Sequence, residues 1–228
     1  MQTEQPIYVE LTKIWRQTDE EFIAVLEKMR LNELDEEVKE KLNIYVDKDF
    51  SIERNPGYIV LSTHNQHAND MNYDALARLD ERSVSFSADI IDEFPEFLYP
   101  IEKSLKLKKG AQVMFVKNDL SFEKRYFDGK IGVVKSLGDD EIIVRFEEEN
   151  KEIEVEKFVW ENKRFGLNPQ TQEIEEEILG TFTQYPLRLA WAITIHKSQG
   201  LTFEKAAIDI SKVFAPGQAY VAMSRLTS

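Results

Sequence analysis

The chain contains no cysteine, which excludes disulfides and thiolate metal sites. No apolar run approaches the ~20 residues needed to span a bilayer, so no membrane association is expected. The N-terminus lacks a basic segment followed by an apolar signal core. These absences suit a cytoplasmic protein. Histidine is scarce, at three residues. His64 and His67 lie close together, but a metal site there needs further ligands, and none is expected. No G-x-x-x-x-G-K-S/T phosphate loop is present, and Gly129-Lys-Ile-Gly132 does not fit that pattern. Positive charge is also short: 29 Lys and Arg against 42 Asp and Glu give a net charge of −13. Phosphate neutralisation drives nucleic-acid affinity, so free-standing high-affinity binders are usually basic. The balance argues against such a binder and leaves room for a local basic groove.

What is present is ordinary for a globular chain: 228 residues, 42% hydrophobic and 31% charged, enough for one large or two small domains. Ile7, Val9 and Leu11 alternate with polar neighbours, which predicts a half-buried strand over 7–12. Thr18 and Glu21 form a capping box opening a helix over about 18–31, and a second helix is expected over 34–42. Asn55-Pro-Gly57 is a turn signal before an apolar strand at 58–62. A polar turn at Thr63-His-Asn65 follows, then a helix with Ala68, Met71, Ala75, Leu76 and Leu79 on one face. Residues 81–100 read as an irregular connector. From about 105 to 160 the pattern is short strands and tight turns, which suggests a small barrel. Its Lys117, Lys124, Arg125 and Lys130 would make a basic edge that Glu147, Glu148 and Glu149 offset. Leu187, Ala190, Trp191 and Thr194 share a helical stripe, and 206–210 reads as a short buried strand.

The most specific residues lie between 187 and 228, in two islands: Thr194-Ile-His-Lys-Ser-Gln-Gly-Leu-Thr202 and Gly217-Gln-Ala-Tyr-Val-Ala-Met-Ser-Arg-Leu-Thr-Ser228. They resemble motifs V and VI of superfamily-1 helicases, most closely the RecD/Pif-like branch. Leu11-Thr-Lys-Ile-Trp-Arg-Gln17 resembles the segment that delivers an arginine to the γ-phosphate in that family. Leu107-Lys-Lys-Gly-Ala-Gln-Val-Met114 and Tyr126-Phe-Asp-Gly-Lys-Ile-Gly-Val-Val134 look like its inserted SH3-like barrel.

The resemblance implies an α/β fold: a RecA-like parallel-sheet domain of the P-loop NTPase type, without the P-loop, interrupted by the barrel. The expected division is 1–100 and 166–228 for the RecA-like domain and 101–165 for the barrel. Arg16 and Arg225 take the positions of arginine fingers, with Gln17, Gln199, Gly200 and Gln218 toward the nucleotide. Thr63, His64, Asn65, Asn72, Thr194, His196, Lys197 and Ser198 take nucleic-acid positions. Short polar side chains and helix-start N–H groups suit phosphate oxygens there. Read without the resemblance, Asn65 is equally a helix cap, His196 a core or cap histidine, and Arg225 a cation complementing a helix dipole.

The resemblance further implies ATP and Mg2+ in a longer parent, with translocation and unwinding of DNA in the 5′ to 3′ direction. The absent phosphate loop makes this chain a candidate fragment lacking the first RecA-like domain of the same polypeptide. Alone, it is expected to hold neither ATP nor Mg2+ and to bind single-stranded DNA weakly if at all. A second reading is a helicase-derived nucleic-acid-binding or regulatory module without a motor. A third is an unrelated α/β domain.

Overall fold

The computed structural model describes residues 8–9, 15–167, 170, 173–209, 211 and 217–227. The strand expected over 7–12 lies outside these residues except for Tyr8 and Val9, and Ile210 and Ser228 lie outside them too.

After Arg16 and Gln17 come α1 (Glu20–Leu31) and α2 (Glu36–Asn43). α1 starts on Asp19, whose carboxylate accepts from the backbone N–H groups of Glu21 and Phe22. The cap expected at Thr18 is thus one residue late, because a carboxylate is the better N-cap acceptor and also complements the helix dipole. Asp35 caps α2 in the same way through Val38 N–H.

Gly57, at φ +82°, turns the chain into β1 (Ile59–Ser62), all of it buried. α3 (Asn65–Arg78) follows and packs on β1 and on a later strand. The antiparallel part then runs through β2 (Val84–Ser87), β3 (Asp89–Asp92), β4 (Ser104–Leu107), β5 (Gln112–Phe115), β6 (Ile131–Leu137), β7 (Ile142–Phe146), β8 (Lys151–Glu154), β9 (Phe158–Leu167), β10 (Ile174–Gln184) and β11 (Leu187–Leu189). The chain closes with β12 (Ala192–Thr194), β13 (Ala206–Asp209) and α4 (Gln218–Met223), which packs against α1.

β12, β1 and β13 form a parallel sheet with β1 in the centre, in register Val60–Ala192 and Leu61–Ile208. A mixed α/β fold with a parallel sheet is therefore present, as expected. β11, β5, β6, β7 and β8 form an antiparallel sheet, while β3, β10 and β9 form a ribbon and β2 pairs with β4. These antiparallel strands reach from Val84 to Leu189, beyond the 101–165 expected for the insert. The stretch 81–100 holds two four-residue strands, too short for alternation to stand out; one pairs with β4 and the other with the distant β10.

A correction concerns Leu187, Ala190, Trp191 and Thr194. They are not on a helix but on and around β11 and β12. A stripe over eight residues also fits two short strands with a kink between them. Pairing of Leu187 with Phe115 and of Ile193 with Leu61 outweighs the local pattern.

Two cores meet at β5. Val113 and Phe115 pack with Leu107, Val134, Val144 and Leu187 inside the antiparallel part. Met114, on the opposite face, packs with Ile59, Leu61, Ala190 and Ile193 under the parallel sheet. Gln112 adds a polar tie, its buried amide donating to Tyr58 O and Ala190 O, both at 2.8 Å. The strands of the parallel sheet are thus held against a fixed seam.

Candidate nucleotide and nucleic-acid interfaces

The sheet gathers the predicted residues at two places. The first joins the start of the described chain to its end. Arg16 Nε donates to Thr202 Oγ1 at 2.8 Å and Nη1 to Ser224 O at 2.7 Å. Gln17 is buried, and its Nε2 donates to Ser224 O at 3.2 Å and Leu226 O at 2.8 Å. Arg225, just past α4, donates from Nε to Val221 O at 3.1 Å and from Nη2 to Ser224 Oγ at 2.8 Å. Arg16 and Arg225 therefore stand beside each other. Burial and the charge of Arg16 pull the Arg225 pKa below the usual arginine value. Neither arginine forms an ion pair with a carboxylate among the described residues, so the place carries an uncompensated double positive charge. Gln218, the first residue of α4, is buried next to this end. Sequence reading missed Thr202 as the partner that orients Arg16, although it closes the first island.

The second place is the carboxyl end of the parallel sheet, where open α/β sheets expose their binding loops. Thr63 is buried after β1, with Oγ1 2.7 Å from His64 Nδ1. His64 and Asn65 are exposed at the start of α3. His64, not Asn65, occupies the N-cap position, without a side-chain cap bond. After β12 the predicted set divides. Thr194 and Ser198 are buried and shape the turn: Thr194 O accepts from Ser198 N–H at 3.0 Å, and Ser198 Oγ donates to Ile195 O at 2.7 Å. His196, Lys197 and Gln199 are exposed on that turn. Gly200 adopts φ +87°, the left-handed turn that favours glycine, and no protein atom lies near an added Cβ. After β13, Asp209 accepts from Ser211 Oγ at 2.6 Å and lies 3.2 Å from His67 Nε2. The Ser211 bonds, with His67 adding less, hold its carboxyl below the ordinary range.

Asn72 lies inside the fold and not on its surface. It is buried, and its amide donates to Ala192 O at 2.8 Å and accepts from Ala192 N–H at 2.9 Å. β12 is an edge strand, so Ala192 has backbone groups facing away from β1. The Asn72 amide pairs with both, as a neighbouring strand would.

Of the basic edge expected on the antiparallel part, Lys130 and Arg125 are paired with carboxylates. Lys130 pairs with Glu149 and lies 4.0 Å from the Phe146 ring centre. Arg125 Nε donates to buried Asp119 at 2.8 Å, and Asp119 also accepts from Ser121 Oγ and from the N–H groups of Ser121 and Arg125. The Arg125 guanidinium holds the Asp119 carboxyl well below the usual carboxylate range. A depressed folded-state pKa adds stability above the unfolded value of about 4, and that stability fades as pH falls toward the folded value. Asp119→Asn is expected to cost about 1.5 kcal/mol at pH 7. In urea unfolding, the difference from wild type should shrink below about pH 4. An equal loss at pH 7 and pH 3 would contradict this.

No family model matches the chain. Similarity to individual proteins is extensive. The chain is 35% identical over 232 residues to the human ATP-dependent DNA helicase PIF1, covering 98% of this chain and 34% of that protein. Its fold matches Bacteroides sp. Pif1 in complex with ADP-AlF4, with TM-score 0.85, 42% identity, and coverage of 96% of this chain and 49% of that one.

Its homologues are the Pif1 helicases of superfamily 1.

A second Bacteroides Pif1 structure, bound to ssDNA, matches with TM-score 0.68 and 41% identity over 96% of this chain and 50% of that one. The chain thus spans a third to a half of the length of the Pif1 proteins it matches. The parallel sheet and its flanking helices fit the RecA-like domain expected from the two islands. Among the described residues, no helix is long and apolar enough to cross a membrane.

Proposed function

We propose that this chain is the arginine-bearing half of an ATP-driven DNA helicase motor of the Pif1 type. In this reading, Arg16 and Arg225 stabilise charge developing on the γ-phosphoryl group of ATP held by a separate phosphate-loop domain. One observation carries the reading. Two guanidiniums more than 200 positions apart in sequence share Ser224 as a hydrogen-bond partner and lack a carboxylate among the described residues. Such a pair suits an anion that binds and leaves, and a guanidinium fork matches phosphoryl oxygens.

The residues fit the phosphate end of a nucleotide and not its metal. Among the described residues, no group of His, Cys, Asp or Glu comes together that could hold Mg2+. Mg2+ would neutralise phosphate charge when bound, and this chain's share is the two guanidiniums, with Gln218 at the start of α4 and Gln199 on the turn after β12. Exposed His64, Asn65, His196 and Lys197 at the sheet's carboxyl end are the groups we assign to single-stranded DNA. Buried Thr63, Thr194 and Ser198 hold those loops. Asn72 and Gln17 act as positioning residues, because their amides are engaged with backbone groups. An SH3-like barrel built on the five-stranded sheet, with its borders widened to the antiparallel strands observed, belongs to the same proposal.

The test uses the protein at its full natural length. ATP hydrolysis is expected to rise when oligo-dT is added, and the isolated 228-residue chain is expected to show no turnover. Turnover by the isolated chain, or a full-length protein indifferent to oligo-dT, would contradict the proposal.

A further inference from the structure

We infer that the outer edge of β10, Ile174–Ile178, is a docking site for a cationic, alternately apolar segment of a partner protein, which adds to the ribbon as one more strand. The site stands apart from both places assigned to the motor.

β9 and β10 are the longest strands among the described residues, and they pair with each other from Phe158–Gln184 out to Leu167–Ile174. β3 covers the other side of β10 only from Gly180 to Thr183. It stops at Asp92, whose φ of +56° turns the chain away. The Glu93 N–H makes the last bond, to Leu179 O at 2.9 Å. Beyond that point no strand among the described residues pairs with β10 on this side. In an antiparallel ladder alternate residues turn N–H and C=O away from the partner strand. Ile174–Ile178 therefore presents backbone groups to solvent, in line with β3. A two-stranded ribbon is marginally stable in water by itself, so a third strand would also firm it.

Register sets the faces. Lys163 lies opposite Ile178, Phe165 opposite Glu176, and Leu167 opposite Ile174, so these six share one face. Phe165, Leu167, Ile174 and Ile178 are between 53% and 74% exposed there. Glu175 and Glu177 belong to the opposite face.

An exposed edge invites pairing with copies of itself, and charge along the edge is the usual guard. Here the guard has one sign. Residues 161–178 hold five glutamates against Lys163 and Arg164, and Asp92 and Glu93 lie where β3 ends. Glu176 and Glu177 stay exposed while paired with Lys163 and Arg164. Nucleic-acid phosphate is repelled from such an edge. So is a second copy of a chain with net charge −13. A strand alternating lysine or arginine with valine or isoleucine fits instead. Its backbone completes the ladder, its apolar side chains lie beside Ile174 and Ile178, and its cations face Glu175 and Glu177.

The experiment uses the protein at full natural length and a labelled (Lys-Val)4 peptide, with (Lys-Ser)4 and (Glu-Val)4 for comparison. Anisotropy reads affinity, and deuterium exchange reads which amides are covered. (Lys-Val)4 should bind and protect alternate amides within 174–178. (Lys-Ser)4 should bind about tenfold more weakly and (Glu-Val)4 not at all. Glu175→Lys/Glu177→Lys and Ile174→Ser/Ile178→Ser should each weaken (Lys-Val)4 about tenfold. Glu36→Lys/Glu37→Lys makes the same change in net charge on α2 and should leave binding unchanged. Equal weakening by the α2 variant would reduce the effect to diffuse attraction and overturn the inference. Amides at 174–178 already protected before any peptide is added would overturn it too, since the rest of the polypeptide or a second copy would then be the occupant. Protection of the same amides by oligo-dT, or a (Lys-Val)4 peptide that leaves them exchanging freely, would also sink it.

Discussion

Arg225→Ala, in the full-length protein, is expected to cut oligo-dT-stimulated ATP turnover by on the order of 10³-fold, with ADP affinity little changed. The reasoning is electrostatic. A guanidinium stays ionised and presents paired N–H groups, so it acts where phosphoryl charge develops and contributes little to ground-state binding. Arg225→Lys should recover little, because an ammonium cannot reproduce the fork. Arg16→Ala should fall in the same direction. Arg16 also ties Thr202 to Ser224, so some of its effect will come through misplaced neighbours. The competing role for Arg225 is local: it donates to Val221 O and Ser224 Oγ at the end of α4. A cation complementing a helix end contributes only about 0.3–1 kcal/mol to stability. If Arg225→Ala hydrolyses ATP at the wild-type rate and merely melts slightly earlier, the finger assignment is wrong. The binding-module reading then takes its place.

Asn72→Leu is expected to destabilise the chain by about 3 kcal/mol, read as a lower urea midpoint. The cost arises because Ala192 would keep a buried N–H and a buried C=O with no partner after the amide is lost. Each unsatisfied group costs about 1–3 kcal/mol. Asn72→Asp separates the two halves of the interaction, since a carboxylate accepts from Ala192 N–H but repels Ala192 O. It should be intermediate in stability at pH 7. An Asn72→Leu variant that is stable but selectively poor in DNA binding would show that Asn72 touches the strand after all. The resemblance pointed to that role, and burial speaks against it.

Much of the candidate site is readable from the sequence. The two islands between 187 and 228 carry polar residues in an order that composition does not produce by chance, and Arg16 lies in a segment with its own pattern. Turn signals at Asn55-Pro-Gly57 and left-handed Gly200 follow from local chemistry that needs no partner. Local chemistry also misled. Thr18 looked like a cap because Glu21 follows it, yet the neighbouring Asp19 is the acceptor used. The stripe from Leu187 to Thr194 looked helical because three-residue strands leave no alternation to read.

The sequence by itself determined the class of fold and the chemical identity of the candidate groups, because these depend on residue type and near neighbours. The tertiary structure alone decided which groups face outward and which are held inside. It drew Arg16 to Ser224, turned the Asn72 amide onto Ala192 and buried Thr194 and Ser198. Those outcomes depend on strand order and register. Pairing between residues far apart in the chain sets both, and no local pattern encodes them.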